Sequence, residues 1–184
     1  MKYYLVAEFT KESYLGIENI QRFTCKKYKL YKKMQNLHII LDTIEEPNLE
    51  LFNKIMAEEI KPYKKFKIQL NSSLAYDTNQ KTVALKVENK GYIATIARNL
   101  SEKLFYNGFK TSSIQSDEGY NLYIPLANGN HQIKNIFDQK SSDALNVLNK
   151  FSGTSFFKIK SFELCKLNGY KKLSVIKNYP LRDF

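Results

Sequence analysis

The histidine of Asn36-Leu37-His38-Ile39-Ile40-Leu41 interrupts a short apolar run, and about half a chain later the pattern returns, altered, as Asn121-Leu122-Tyr123-Ile124-Pro125-Leu126. An imidazole accepts, donates or shuttles a proton near neutral pH; a phenol donates a hydrogen bond and stacks on flat rings. One polar side chain in the middle of an apolar strand, repeated once, implies two half-sites facing each other. His38 and Tyr123 are the groups that would meet a substrate there. Taken alone, His38 reads more readily as a hydrogen-bonded core histidine than as a catalytic base, because catalysis needs a partner in geometry. His131 lies in the polar turn sequence Asn128-Gly129-Asn130-His131 and reads as a surface loop residue. Cys25 and Cys165 are far apart and each sits among lysines, so both read as ordinary thiols rather than a disulfide. With two unpaired histidines and isolated cysteines, no metal or cofactor is expected.

The formal net charge of +11 and pI of 9.4 favour a polyanionic partner, RNA first, since cationic surfaces gain affinity by releasing phosphate counterions. The most concentrated charge is Lys26-Lys27-Tyr28-Lys29-Leu30-Tyr31-Lys32-Lys33, immediately before the first motif. Lysines interleaved with tyrosines could track a nucleic-acid backbone while the rings stack on bases, which makes Lys29, Tyr31, Lys32 and Lys33 candidate substrate contacts. The same run also reads as a solvated helix end whose lysines complement the helix dipole. Lys, Asn, Ile and Tyr are enriched together, a skew that codon bias can produce without any nucleic-acid ligand. Only Arg22, Arg98 and Arg182 among the 29 basic residues are arginines, although bidentate phosphate clamps favour Arg.

The elements that must position these residues follow from periodicity. Tyr3 to Phe9 reads as a strand, and Ser13 as the N-cap of a helix carrying Ile17, Ile20 and Thr24. The first motif strand runs from Leu37 to Leu41. Pro47 and Asn48 start a second helix with Leu49, Phe52, Ile55, Met56 and Ile60 on one stripe. Phe66, Ile68 and Leu70, then Val83, Leu85 and Val87, alternate as two antiparallel strands around the turn chemistry of Asp77-Thr78-Asn79-Gln80. Ile93, Ile96, Ala97, Leu100 and Leu104 mark a helix between Gly91 and Gly108, with Gly108 as its C-cap. A polar loop from Thr111 to Gly119 leads to the second motif strand, and Ser141 and Ser142 can cap a short helix through Leu148. Phe156 to Leu164 reads as a strand whose apolar parity switches between Ile159 and Phe162, the mark of a bulge. Leu167-Asn168-Gly169 is hairpin chemistry, returning along Tyr170 to Ile176. This is α+β with largely antiparallel sheet, expected as one domain over residues 1–184. No stretch approaches the ~18 apolar residues of a membrane span, and Met1-Lys2-Tyr3-Tyr4 leads into a strand rather than a signal peptide, so a cytoplasmic protein, with no membrane partner, is expected.

In order and spacing the chain resembles the 2H phosphoesterases, the group that includes bacterial 2'-5' RNA ligase and RNA 2',3'-cyclic phosphodiesterase. The resemblance is carried by Tyr4-Leu5-Val6-Ala7, the first motif, Asn107-Gly108-Phe109, the strand Tyr120 to Ala127, Phe162-Glu163-Leu164 and Tyr179-Pro180-Leu181. It implies a bilobal fold, two mostly antiparallel sheets around a central cleft with helices outside, usually monomeric. In that family two His-x-Thr/Ser motifs supply a general base, a general acid and two hydroxyls for the phosphate oxygens. Here His38 stands for the first histidine, while Ile40, Tyr123 and Pro125 occupy the other three places. A general acid or base is worth about 10²–10⁴ in rate, and a phenol of pKa near ~10 is a poor proton shuttle at neutral pH. The expectation is a protein that binds RNA ends or another phosphate ester in a basic cleft with weak or no turnover. Two alternatives stay open: an active phosphodiesterase rebuilt around His38 and Tyr123, and a protein-interaction module with a vestigial cleft.

Overall fold

The computed structural model describes residues 1–77, 81–87, 91–112, 122–138, 156–168 and 173–183. In chain order the elements are β1 (Lys2–Phe9), α1 (Lys11–Lys27), β2 (Ile39–Glu45), α2 (Leu49–Ile60), β3 (Phe66–Asp77), β4 (Thr82–Val87), α3 (Tyr92–Tyr106), β5 (Lys110–Thr111), β6 (Tyr123–Asn128), α4 (His131–Asp138), β7 (Phe156–Leu167) and β8 (Leu173–Pro180). The named strands pair antiparallel along the path β5-β2-β1-β7-β3-β4-β6, with β8 added on β7. The two expected sheets are thus two arms of one path. They join through β7, whose first residues pair with β3 and whose remainder lies between β1 and β8. Because β2, near one end of the path, comes into contact with β6 at the other, the sheet curls back on itself.

Helices cover the outside of the curl. Phe52 of α2 sets its ring 5.8 Å from Phe109 and 6.3 Å from Tyr179 of β8, while Phe137 of α4 stacks at 5.5 Å on Tyr76 of β3. Leu5, Ala7 and Phe9 of β1 are buried in this outer core, so the alternate residues Tyr4, Val6 and Glu8 point to the inner face. A bulge at Lys160 keeps the phase on β7: Ile159 stands opposite Phe9 and Ser161 opposite Glu8, which is the parity switch expected from the sequence.

Several local expectations are displaced. Helix α1 starts earlier than Ser13: β1 ends at Phe9, extended Thr10 becomes the N-cap, and its hydroxyl accepts from the Ser13 amide. The Ser13 hydroxyl instead accepts from the Lys158 amide of β7 at 2.8 Å. His131 is not a loop residue. Asn130 caps α4 by accepting from the Ile133 amide at 2.9 Å, so the Asn-Gly-Asn signal starts a helix. Lys110 and Thr111, the second of them the first residue of the stretch read as a loop, pair with the end of β2. Gly108 does end α3, at φ +83°, with its amide bonded to the Phe105 carbonyl and the Phe109 amide to that of Leu104. The helix expected from Ser141 to Leu148, most of the Thr111 to Gly119 loop and the tips of both hairpins lie outside the described residues.

Two buried polar side chains hold the motif strands. Gln21 of α1, 4% exposed, donates through Nε2 to the Met34 carbonyl at 2.9 Å and to the Leu126 carbonyl at 2.7 Å. On β2 a bulge at Leu41 turns Asp42 to the outer face opposite Leu5, where it accepts from Ser101 Oγ of α3 at 2.6 Å and from the Ser112 amide at 3.0 Å. Replacing either residue strands buried hydrogen-bonding groups, which costs about 1–3 kcal/mol apiece. Gln21→Ala is therefore expected to lower unfolding free energy by about 2 kcal/mol and Asp42→Ala by about 3 kcal/mol, the larger figure because its bonds are charge-assisted, as read by urea denaturation.

Candidate functional site

The chain between α1 and β2 visits β6 before it delivers the first motif. Lys33 bridges to Ala127, the Asn128 amide donates to the Lys32 carbonyl and the Met34 amide to that of Leu126. From there the segment crosses to β1 and pairs as β2. His38 lies one residue before β2 and Tyr123 opens β6, so each motif residue stands at the start of its strand rather than in the middle. Ile40 is opposite Val6 on the inner face, and His38, two residues back, lies beside Glu8, Nδ1 at 3.8 Å from its Oε1. Tyr123 is opposite Lys86 and Pro125 opposite Ala84 on the inner face of the other arm. Tyr123 and Ile40 are each 36% exposed; His38 is buried at 4%.

The lysine run is held by its backbone along the far end of β6. Lys29, Tyr31, Lys32 and Lys33 have exposed side chains, and the Asn130 side-chain amide donates to the carbonyls of Tyr28 and Lys29. Four residues of strand separate Ala127 from Tyr123, about 13 Å. The run thus sits a strand's length from the motif tyrosine. Grooves of about 570 and 580 Å³ open elsewhere, beside Thr10, Lys67 and Phe156 and beside Met1, Glu45 and Lys110; neither is lined by His38 or Tyr123. Among the described residues no group of three His, Cys, Asp or Glu is placed to hold a metal ion, and no helix is long and apolar enough to cross a membrane.

The sequence reading missed Glu8, although it is the one charged residue in the apolar part of β1. Burial pushes its carboxyl up to about 7, helped by Glu163 and opposed by Lys160. Burial also brings the His38 imidazole down to about 4. At 3.8 Å the two satisfy an ion-pair distance, yet each is driven towards its neutral form, and the separation exceeds hydrogen-bond reach. The contact is one of uncharged groups between the two values. Around it stand Tyr14 of α1, whose hydroxyl donates to the Gln35 carbonyl, Ser161 opposite Glu8, and Glu163 opposite Val6. Burial, then Glu163 and Glu8, raises the Cys165 thiol to about 12, so it stays protonated. Cys25 is raised by burial as well.

These shifts set opposite stability slopes. The Glu8 carboxyl binds its proton more tightly folded than unfolded, so its charge weakens the fold as pH rises from 4.5 towards about 7. His38 binds its proton less tightly folded, so its contribution is lost as pH falls from 6.5 towards about 4. Glu8→Gln is expected to stabilise the protein by about 2 kcal/mol at about pH 8 and hardly at all near about pH 4.5, which thermal unfolding across pH checks.

No protein-family model matches the sequence, and neither does any curated protein. Solved structures do. Escherichia coli LigT crystallised with 3'-AMP is 14% identical, with 98% of this chain and 97% of that one aligned at a TM-score of 0.66. TT0787 of Thermus thermophilus is 15% identical over 100% and 99% of the two chains at 0.67, and Usb1 of Kluyveromyces marxianus 14% identical over 98% of each at 0.59. At such identities the likeness is one of architecture, and over its full length this chain has the fold of the 2H phosphoesterases.

Proposed function

We propose that the inner face between the two arms binds a phosphate ester, an RNA end or a nucleotide, and turns it over weakly or not at all. The observation that carries this reading is the tie between the motif strands: the segment leading to His38 is bonded to the strand of Tyr123, and both residues face the inside of the curl. The full-length likeness to a protein crystallised with 3'-AMP, ATP, NADP+ and phosphate in separate structures supports a phosphorylated ligand. The formal charge of +11 supports attraction of such a ligand from a distance.

Slow turnover follows from the side chains present. Neither Ile40 nor Pro125 can donate to a phosphate oxygen, and each lost donor of this kind is worth about 10²–10³ in rate. An imidazole held neutral down to about pH 4 accepts a proton poorly at pH 7. Tyr123 can still donate and stack.

The deciding experiment incubates the purified protein, and His38→Ala beside it, with a short RNA ending in a 2',3'-cyclic phosphate. Salt-sensitive binding without ring opening is expected, with Tyr123→Ala weakening binding by about tenfold for the loss of a hydrogen bond and a stack. Ring opening lost in His38→Ala would instead establish an active phosphodiesterase with a rebuilt site. Absence of binding would overturn the reading and leave a protein partner as the alternative.

A further inference from the structure

The inner face has no side-chain hydroxyl donor at Ile40 or Pro125, yet its floor holds polar groups the motifs do not use. Glu8 of β1 stands opposite Ser161 of β7, and Glu163, two residues further along β7, stands opposite Val6 and on its other side Asn178 of β8. Directly opposed residues of antiparallel strands share a face, so Glu8, Ser161 and Glu163 form one patch beside His38. The Ser161 hydroxyl is buried and, among the described residues, has no hydrogen-bond partner. An unpaired buried hydroxyl is costly, about 1–3 kcal/mol, and a ligand oxygen beside it would relieve that cost.

We propose that the inner face takes up a phosphate ester together with one proton, Glu8 in its protonated form and Ser161 supplying the hydrogen-bond donors that Ile40 and Pro125 cannot. This rests on the reading of the inner face as a phosphate-ester site and adds what recognises the phosphate there. A carboxylate beside a phosphate would repel it; a carboxylic acid carries a donor and no charge. The geometry favours the acid. Glu8 is partly enclosed, with side-chain exposure of 19%, and Glu163 is its neighbour on the same face, so both carboxyls resist ionising together. Burial and Glu163 raise the Glu8 carboxyl to about 7, with Lys160 at the bulge opposing them, and Glu163 is itself raised by burial. The other titratable groups at Glu8 do not change state near neutrality: His38 is lowered to about 4, Cys165 raised to about 12, and Tyr14 raised by burial.

The test is calorimetric titration of the full chain with adenosine 2',3'-cyclic phosphate, whose single charge does not titrate between about pH 5.5 and 8.5, in buffers of different ionisation enthalpy. Expected is uptake of about one proton per ligand at about pH 8 and almost none at about pH 5.5, with affinity about 30-fold lower at pH 8.5 than at pH 6. Glu8→Gln keeps the donor without the titration, so its affinity should be independent of pH and its proton uptake nil; circular dichroism confirms that it folds. Glu163→Gln removes the repelling charge, so uptake at about pH 8 should remain while the midpoint moves to lower pH. Ser161→Ala should bind about tenfold more weakly at every pH with uptake unchanged, the loss of one donor. Binding by the wild type with no proton uptake would overturn the proposal and leave the phosphate-site reading standing. Uptake persisting in Glu8→Gln, or undiminished binding in Ser161→Ala, would also overturn it. No binding at any pH would remove the underlying reading itself.

Discussion

The side-chain amide of Gln21 donates to two carbonyls that lie far apart in sequence, Met34 on the way to His38 and Leu126 in the strand of Tyr123. Water is excluded there, because Gln21 is 4% exposed, so neither donor has a solvent alternative. Any slip of one arm against the other breaks both bonds at once. The helix that carries Gln21 is itself fixed at its start, where the Thr10 amide bonds to the Lys158 carbonyl and Ser13 Oγ accepts from the Lys158 amide. Helix α1 therefore acts as a strut from the shared strand β7 to the edge strand β6. The curl of the sheet, and with it the approach of His38 to the inner face, depends on that strut.

Electrostatics inside the curl follow from the same closure. At 3.8 Å, opposite charges on His38 and Glu8 would attract by about 4 kcal/mol at an effective dielectric of about 20. Removing both ions from water costs several kcal/mol each, so desolvation wins and both side chains prefer to be neutral. A histidine more exposed than the 4% of His38 would keep a pKa nearer its ordinary value and could serve as a base. Here the group poised near neutrality is the carboxyl of Glu8, reached from β1 rather than from either motif.

Much of the architecture was legible because it is written in periodicity. The stripe Phe52, Ile55, Met56, Ile60 is buried as one face of α2, and the parity switch after Ile159 located the bulge at Lys160. What stayed hidden depends on contacts across long sequence separations. Nothing near Thr111 announces a two-residue strand, since β5 exists only because the end of β2 offers it a partner. Asn128-Gly129-Asn130 has turn chemistry and helix-cap chemistry alike, and only the Ile133 amide decides between them. Glu8 lies inside the run Tyr3 to Phe9, read only as a strand, with no motif to single it out. Its environment is set by Ser161, Glu163 and His38, which no local pattern brings together.

The distribution of charge then separates two roles that a basic protein tends to merge. The exposed lysines Lys29, Lys32 and Lys33 lie along the far end of β6, a strand's length from Tyr123, so a polyanion drawn to them would not thereby touch the motif residues. That attraction is screened over about 8 Å at physiological salt. The floor carries the opposite tendency, two carboxyls on neighbouring rungs of β1 and β7. If the floor accepts a phosphate ester as proposed, that short-range acceptance would depend on whether Glu8 holds its proton. A cleft built in this way would discriminate by protonation where a cleft lined with hydroxyls discriminates by geometry alone, since neither Ile40 nor Pro125 brings a side-chain hydroxyl to the inner face.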